Sequence, residues 1–272
     1  MSQLDTSDKF PWNQMELRTF NGYNYIFIPN IWVKNEGSGG QGTLYTIHEE
    51  EVEGSHIHPA FVTNGEVNPT GVLIGEDIVG GGQSYTDLLT AAAQYGTGVL
   101  PYNIYDHHLI ARLMLIEYES ADLQTLITGS NTGMNANYHG IKNAWGSTSK
   151  GLWIYGLDTN NSLGINNTNI HILSNEMDGT MVDTGVAPCG GGWPVTLLRT
   201  TGTKFDLGDV FLAATVNDTE GDGTMGDYQG LSTGYCFYTH WSEDSSRGPF
   251  ALYSNSPSNT YSYLGFRLRK AV

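Results

Sequence analysis

The sequence predicts an α+β fold: two helices set among small antiparallel sheets, joined by long irregular loops. Three observations carry this. Helical periodicity is confined to the stretch between Ser84 and Ile127. Short β-type runs bounded by Gly, Pro, Asn and Asp recur on both sides of it. Beyond Gly129 the chain is rich in Gly and Asn, as a fold with much irregular backbone requires.

Residues 1–18 are polar and lack periodicity, so residues 1–19 are expected to form an N-terminal arm or attachment segment ahead of one domain over 20–272. From Phe20 to Val33 the Asn21-Gly22 turn signal precedes Tyr23, Tyr25, Ile26, Phe27 and Ile28. Ile31, Trp32 and Val33 follow Pro29-Asn30, which reads as two short strands broken by Pro29. Thr43–His48 is a further strand after a Gly-rich loop. The acidic run at 49–53 reads as a solvated loop. His56 and His58 would share a strand face, but no third ligand is placed by spacing, which favours structural histidines.

Ser84-Tyr85-Thr86-Asp87 offers an N-cap candidate in front of a helix over Leu88–Ala93 that stops near Gly96 and Gly98. Tyr105–Glu119 places Leu109, Leu113 and Ile116 at the spacing of an amphipathic helix. Asp106 lies in its first turn, and His107 and His108 are expected to be solvated there. A second short helical piece is expected over Ala121–Ile127. The later β runs are Leu152–Tyr155, Ile170–Leu173, Val195–Leu198 and Val210–Ala213. Asn143-Ala144-Trp145-Gly146 and Cys189-Gly190-Gly191-Gly192-Trp193 each set a Trp against Gly, where the ring can lie on bare backbone.

Composition narrows the function. The chain has 272 residues, 39% of them hydrophobic, enough for a full core. Its 28 acidic and 12 basic side chains leave a formal charge of −16, which repels phosphate backbones and argues against nucleic-acid binding. No apolar run of membrane-spanning length is present. The start, Met1–Asp5, lacks the basic residues and apolar stretch of a secretory signal. The expectation is a cytoplasmic protein, a part of something assembled there, or a trimmed chain. Cys189 and Cys236 read as buried small hydrophobes rather than a disulfide.

Motifs for catalysis are sparse: no nucleophile elbow, phosphate-binding loop, zinc-protease helix or paired-cysteine motif is found. The chain is therefore expected not to be an enzyme. The rival enzymatic reading would rest on Glu117, Glu119 or Asp222. Asp218, Glu220 and Asp222 follow the first half of a calcium loop, yet its twelfth position is Gln229 instead of Glu. No cofactor is expected beyond a structural calcium ion that this acidic turn could hold.

The most informative stretch is Tyr228–Tyr263. Six Tyr, eight Ser, three Gly and two Asn make up 19 of its 36 residues. Tyr offers a large amphipathic face with few rotors to freeze, and Ser, Gly and Asn supply adaptable hydrogen bonding, as in binding surfaces. The alternative is a Ser-rich surface loop with ordinary aromatic packing.

Ala251–Arg267, ending Tyr261-Ser262-Tyr263-Leu264-Gly265-Phe266-Arg267, resembles the C-terminus of variable proteins diversified by retroelements, the phage tropism determinants among them. Tyr138–Gly146 followed by Gly151-Leu152-Trp153 is similar to the core segment of their fold. Ile28-Pro29 and His58-Pro59-Ala60-Phe61 are similar to phage tail proteins that carry it. The resemblance implies a C-type lectin fold of the formylglycine-generating-enzyme type, with a variable region at about 224–269. The implied contacts are Tyr228, Tyr235, Phe237, Tyr238, His240, Ser242, Tyr253, Asn255, Asn259, Tyr261 and Tyr263; Phe266 and Arg267 belong to the frame, and Trp241 and Phe250 fit either role. It further implies a host-surface protein or glycan as receptor, a trimer, and a place on a phage tail or a bacterial surface. A purely structural tail component is the third reading. Catalytic members of the wider superfamily use two closely spaced cysteines. Cys189 and Cys236 are far apart, so oxidation chemistry is not carried over.

Overall fold

A computed structural model describes residues 4–36, 44–120, 123, 136–147, 149–159, 169–174, 176–197, 212–218, 227–231, 236–239 and 248–272. Small antiparallel sheets and two helices make up the described chain, an α+β, mostly-sheet architecture.

Asn21 and Gly22 both adopt positive φ, 50° and 79°, the conformation a tight hairpin turn needs. They join strand Glu16–Phe20 to strand Tyr23–Pro29. The hairpin opens a five-stranded antiparallel sheet that continues through Gly71–Gly75, Leu268–Ala271 and Val99–Pro101. The C-terminal strand thus sits inside the sheet, flanked by two segments from the first 101 residues.

A second sheet runs in the order Met181–Asp183, His171–Leu173, Gly151–Asp158, Cys236–Thr239, Tyr253–Asn255, and Leu264–Gly265 joins it by parallel pairing to Gly151–Leu152. Gly151–Asp158 is buried along its whole length. Its pairing slips between Trp153 and Asp158. There the Tyr85 hydroxyl accepts a hydrogen bond from the Gly156 amide at 2.9 Å. The Tyr85 ring stacks on Tyr155 and meets Trp153 edge-on. A side chain thereby serves backbone that the irregular ladder leaves unpaired. A third sheet has Gly190–Leu197 between Ala213–Asn217 and Gln229–Leu231.

Helix α1, Leu88–Ala93, follows a 3₁₀ turn at Tyr85–Asp87. Ser84 heads that turn and Asp87 precedes α1, within the stretch where the start was expected, but neither side chain caps a backbone amide; the Ser84 hydroxyl instead donates to Asp87 Oδ2 at 2.6 Å. Helix α2, Ile104–Tyr118, begins with a capping box: Asn103 Oδ1 accepts from the Tyr105 and Asp106 amides, and Asp106 Oδ2 accepts from the Asn103 amide. The three-leucine stripe predicted an amphipathic helix, but every residue from Ile104 to Met114 is buried. The helix is enclosed by the sheets and the 3₁₀ turn Pro59–Phe61. His107 and His108, expected in solvent, are buried at 2% and 0% exposure. His58 is also buried, and its Nδ1 accepts from the Ala60 amide, a structural role as expected.

The expected arm is also corrected. Residues 16–20 are an edge strand, and Trp12 lies in the core with its indole N–H donated to the Tyr138 hydroxyl at 2.7 Å. Of the second helical piece at 121–127, only Leu123 lies within the described residues.

Asp106 and Arg269 join α2 to the C-terminal strand with Nε–carboxylate distances of 2.9 and 3.1 Å, both side chains fully buried. Arg269 also donates to the Ala60 carbonyl at 2.7 Å. Removing one member of such a pair leaves a buried charge alone. Arg269→Met is therefore expected to lower unfolding free energy by about 3–5 kcal/mol, measured by urea denaturation.

Burial pushes the Asp106 carboxyl up to about 6, against the pull of Arg269. Burial holds His107 down to about 4, and holds His108 well below its ordinary value with help from His107, His58 and Arg112. As pH falls from about 6.5, the two histidines take up protons only in the unfolded chain, which drains stability. Asp106 opposes this from pH 6 down toward 3.8, because its folded form binds the proton more tightly. Two losses against one gain leave stability falling with acid between about pH 6.5 and 4. A His108→Gln variant should lose part of that slope in denaturation curves taken across the range.

Candidate ligand-binding face

The terminal segment is held by buried polar side chains. Asp227, fully buried, accepts from the Phe250 amide at 2.8 Å. Gln229 spans two neighbours: Oε1 accepts from the Ala213 amide and Nε2 donates to the Phe250 carbonyl, both at 2.9 Å. Backbone bonds from Gly230 to Leu252 and from Leu252 to Tyr228 close the same joint at 2.7 and 3.1 Å. Amide partners buried this deeply fix backbone position, because leaving them unmade costs full desolvation.

On this joint Tyr228 and Tyr253 stack, ring centroids 5.5 Å apart at 23°. Trp193 meets Tyr228 edge-on at 5.4 Å and 82°. All three are half-buried. The hydroxyl end of Tyr228 lies against Gly191, where a Cβ would collide with the phenol oxygen. The row therefore has rings from three strands or strand ends and a glycine floor. Trp193 was not among the expected contacts. Its signal was the Gly190-Gly191-Gly192-Trp193 run, which marked a ring lying on backbone.

Residues 255–263 form a loop closed by its own side chains. Asn255 Oδ1 accepts from the Ser256 amide at 2.9 Å and from the Asn259 side-chain amide. Ser256 and Ser258 hydroxyls lie 3.1 Å apart. The loop is tied to the body by Tyr85 N to the Pro257 carbonyl, Gly82 N to Tyr261, and Gly151 N to Tyr263. Tyr261 is 46% exposed and stacks on Tyr263 at 4.8 Å and 16°. Tyr263 is half-buried against the core, and desolvation with the neighbouring Tyr261 raises its phenol pKa.

The expected contacts therefore divide. Tyr228 and Tyr253 come together, Tyr261 and Tyr263 form a second pair, and Asn255 and Asn259 act first as loop staples. Phe237 and Tyr238 lie opposite Ser254 and Tyr253 in the strand register, with their side chains outside the described residues. Tyr235, His240, Ser242 and Trp241 lie outside them altogether. Phe250 is fully buried and belongs to the frame. Phe266 and Arg267 are frame residues as expected: Arg267 donates to the carbonyls of Gly75, Lys142 and Asn143 at 2.6, 2.8 and 2.9 Å.

Of the calcium-loop candidates Asp218 is exposed, while Glu220 and Asp222 are outside the described residues. Among the described residues no group of three potential metal ligands converges. Of the alternative acids, Glu119 ends α2 in a left-handed conformation with φ 51°. Glu117 is buried, accepts from Thr6 at 3.2 Å and sits 3.0 Å from His139 Nε2, anchoring the N-terminal segment. Cys189 is a free, half-buried thiol, raised in pKa by burial.

No protein-family model matches the chain, and no curated protein is significantly similar to it. Among the described residues, no helix is long and apolar enough to cross a membrane.

Three substitutions separate the roles. Tyr263→Ala should lower stability by about 1–2 kcal/mol, less than the 3–5 kcal/mol typical of a fully buried ring. Tyr261→Ala should leave the melting temperature nearly unchanged. Gly191→Ala should expel the Tyr228 ring and be visible as a change in near-ultraviolet circular dichroism at unchanged far-ultraviolet signal.

Proposed function

We propose that the chain is a ligand-binding protein whose terminal segment presents interchangeable contacts on a fixed frame. The observation that carries this reading is the half-buried row of Trp193, Tyr228 and Tyr253 held by fully buried Asp227 and Gln229. Rigid aromatic rings at a surface supply large contact area with little conformational entropy to lose. Binding energy in such faces concentrates in a few desolvated aromatic anchors.

The finer reading rests on resemblance. A C-type lectin fold of the kind carried by retroelement-diversified variable proteins is supported by two helices among small sheets and a C-terminal strand set within the first sheet. On that reading the ligand is a host-surface protein or glycan, the protein sits on a phage tail or bacterial surface, and it works as a trimer without catalysis.

A chain with Tyr228, Tyr253 and Tyr261 all changed to Ala should bind a panel of bacterial cells at least tenfold more weakly than the parent in flow cytometry. Its melting temperature should fall by only a few degrees. Unchanged cell binding, or no binding by the parent to any cell or glycan, would sink the proposal. A reverse-transcriptase gene nearby, with a near-copy of the terminal coding segment differing mainly at adenines, tests the diversification claim separately.

A further inference from the structure

A cleft of about 380 Å³ runs along the edge strand Val99–Pro101 as far as Asn103. Pockets of roughly 300–1,000 Å³ are the usual size for small-molecule sites. Its two ends differ in chemistry. At one, the Lys270 ammonium donates to the Thr97 carbonyl at 3.1 Å and lies 4.7 Å over the Phe20 ring, close to Gly98. Those contacts hold the charge away from the other end, where Asn103 and Tyr155 are neighbours through backbone pairing.

The Asn103–Tyr155 end has apolar walls in fixed positions. Leu173 is held there by the Tyr105 hydroxyl, which donates to its carbonyl at 2.6 Å. Gly156, the residue after Tyr155, lies against the Leu173 side chain with no room for a Cβ. Met177 follows in a turn whose amide bonds to the Ser174 carbonyl at 2.9 Å. The Gly65 amide donates to the Glu176 carbonyl at 2.6 Å, which sets the hairpin carrying Thr63 against that turn. Pro101 completes the wall from the edge strand.

The polar groups at this end are neutral and unfilled. Asn103 is 1% exposed, and its Oδ1 is consumed by the two cap amides of α2. Its side-chain NH₂ has no acceptor among the described residues. Tyr155 is 7% exposed and stacks on Tyr85, and its hydroxyl has no partner among the described residues. Burial raises that phenol's pKa, which keeps it a neutral donor. The Thr63 hydroxyl is likewise buried without a partner among the described residues. Folded proteins pair nearly all such atoms, so donors left open on one cavity point to an acceptor that fills it. An anion here would be buried without a counter-charge, which is costly. Asp178, on the exposed rim, adds to that cost.

We propose that this end of the cleft binds a small neutral molecule with a carbonyl on an apolar body, its oxygen toward the Asn103 amide and the Tyr155 hydroxyl and its body against Pro101, Leu173 and Met177. A carbonyl oxygen has two lone pairs and can accept from both donors. Lys270 takes no part. The cleft shares no residue with the row of Trp193, Tyr228 and Tyr253, so either site can fail alone.

The test is calorimetric titration of the full chain with 4-phenylbutan-2-one, 3-phenylpropionate and 4-phenylbutan-2-amine, which share a phenylethyl body and differ in charge. The ketone should saturate at one per chain, with the carboxylate and the protonated amine each at least roughly tenfold weaker. Tyr155→Phe keeps the ring stack and should weaken the ketone roughly three- to tenfold. Asn103→Asp keeps the cap acceptor but replaces the free donor by an oxygen, and should move the preference from ketone to amine. Lys270→Gln should leave the ketone unchanged. The order of the three probes on the parent chain decides the matter even where a variant folds poorly. No saturable binding of the ketone, tighter binding of either charged probe, or a ketone affinity that follows Lys270 and ignores Tyr155 would overturn the proposal.

Discussion

The ion pair between Asp106 and Arg269 is the joint on which the architecture depends. It connects the first turn of α2 to the last strand of the chain, with both side chains fully buried. Asp106 also closes the capping box, so one carboxylate fixes the helix start and the strand position together. Buried charges are weak contributors to net stability but strong specifiers of arrangement, because few alternatives satisfy them. Here the alternatives are excluded further by the Arg269 bond to Ala60. The C-terminal strand has one register in which Arg269 meets both partners.

Buried polar side chains also act at several places, among the described residues, where regular ladders stop. Arg267, two residues earlier, satisfies three carbonyls from the turns at 75 and 142–143. Tyr85 fills the slip in Gly151–Asp158, and Gln229 joins segments at 213 and 250. A fold with short strands and long loops exposes many backbone groups that sheets do not pair. Buried Arg, Gln, Asp and Tyr side chains meet that demand in this protein. This explains why a chain with only 15% charged residues places several of them out of solvent.

Local patterns were legible and long-range partners were not. Asn21-Gly22 announced its hairpin, the Ser84–Asp87 stretch the approach to α1, and the β runs at 152, 170 and 195 their strands, because each signal acts over a few residues. The burial of His107, His108 and Arg112 was hidden, since a polar residue in a helix reads as solvent-facing until its neighbours from other elements are known. Trp12 looked like part of an arm because its hydrogen-bond partner, Tyr138, lies 126 residues away. In the terminal segment the composition pointed to Tyr228, Tyr253 and Tyr261, but could not separate an exposed ring from one leaning on the core, as Tyr263 does.

The frame also limits how the aromatic face can work. Tyr228 lies on Gly191, and Tyr253 leans on Tyr228, so ring positions are set before any ligand arrives. Preorganised rings lose little entropy on binding, and contact area then converts more fully into affinity. The nearest fully buried groups, Asp227 and Gln229, already have bonds to backbone. Exchanging a surface ring leaves those bonds intact, whereas exchanging Asp227 or Gln229 would free the joint itself. Tolerance to change at the tip and intolerance beneath it both follow from where the backbone amides find their partners.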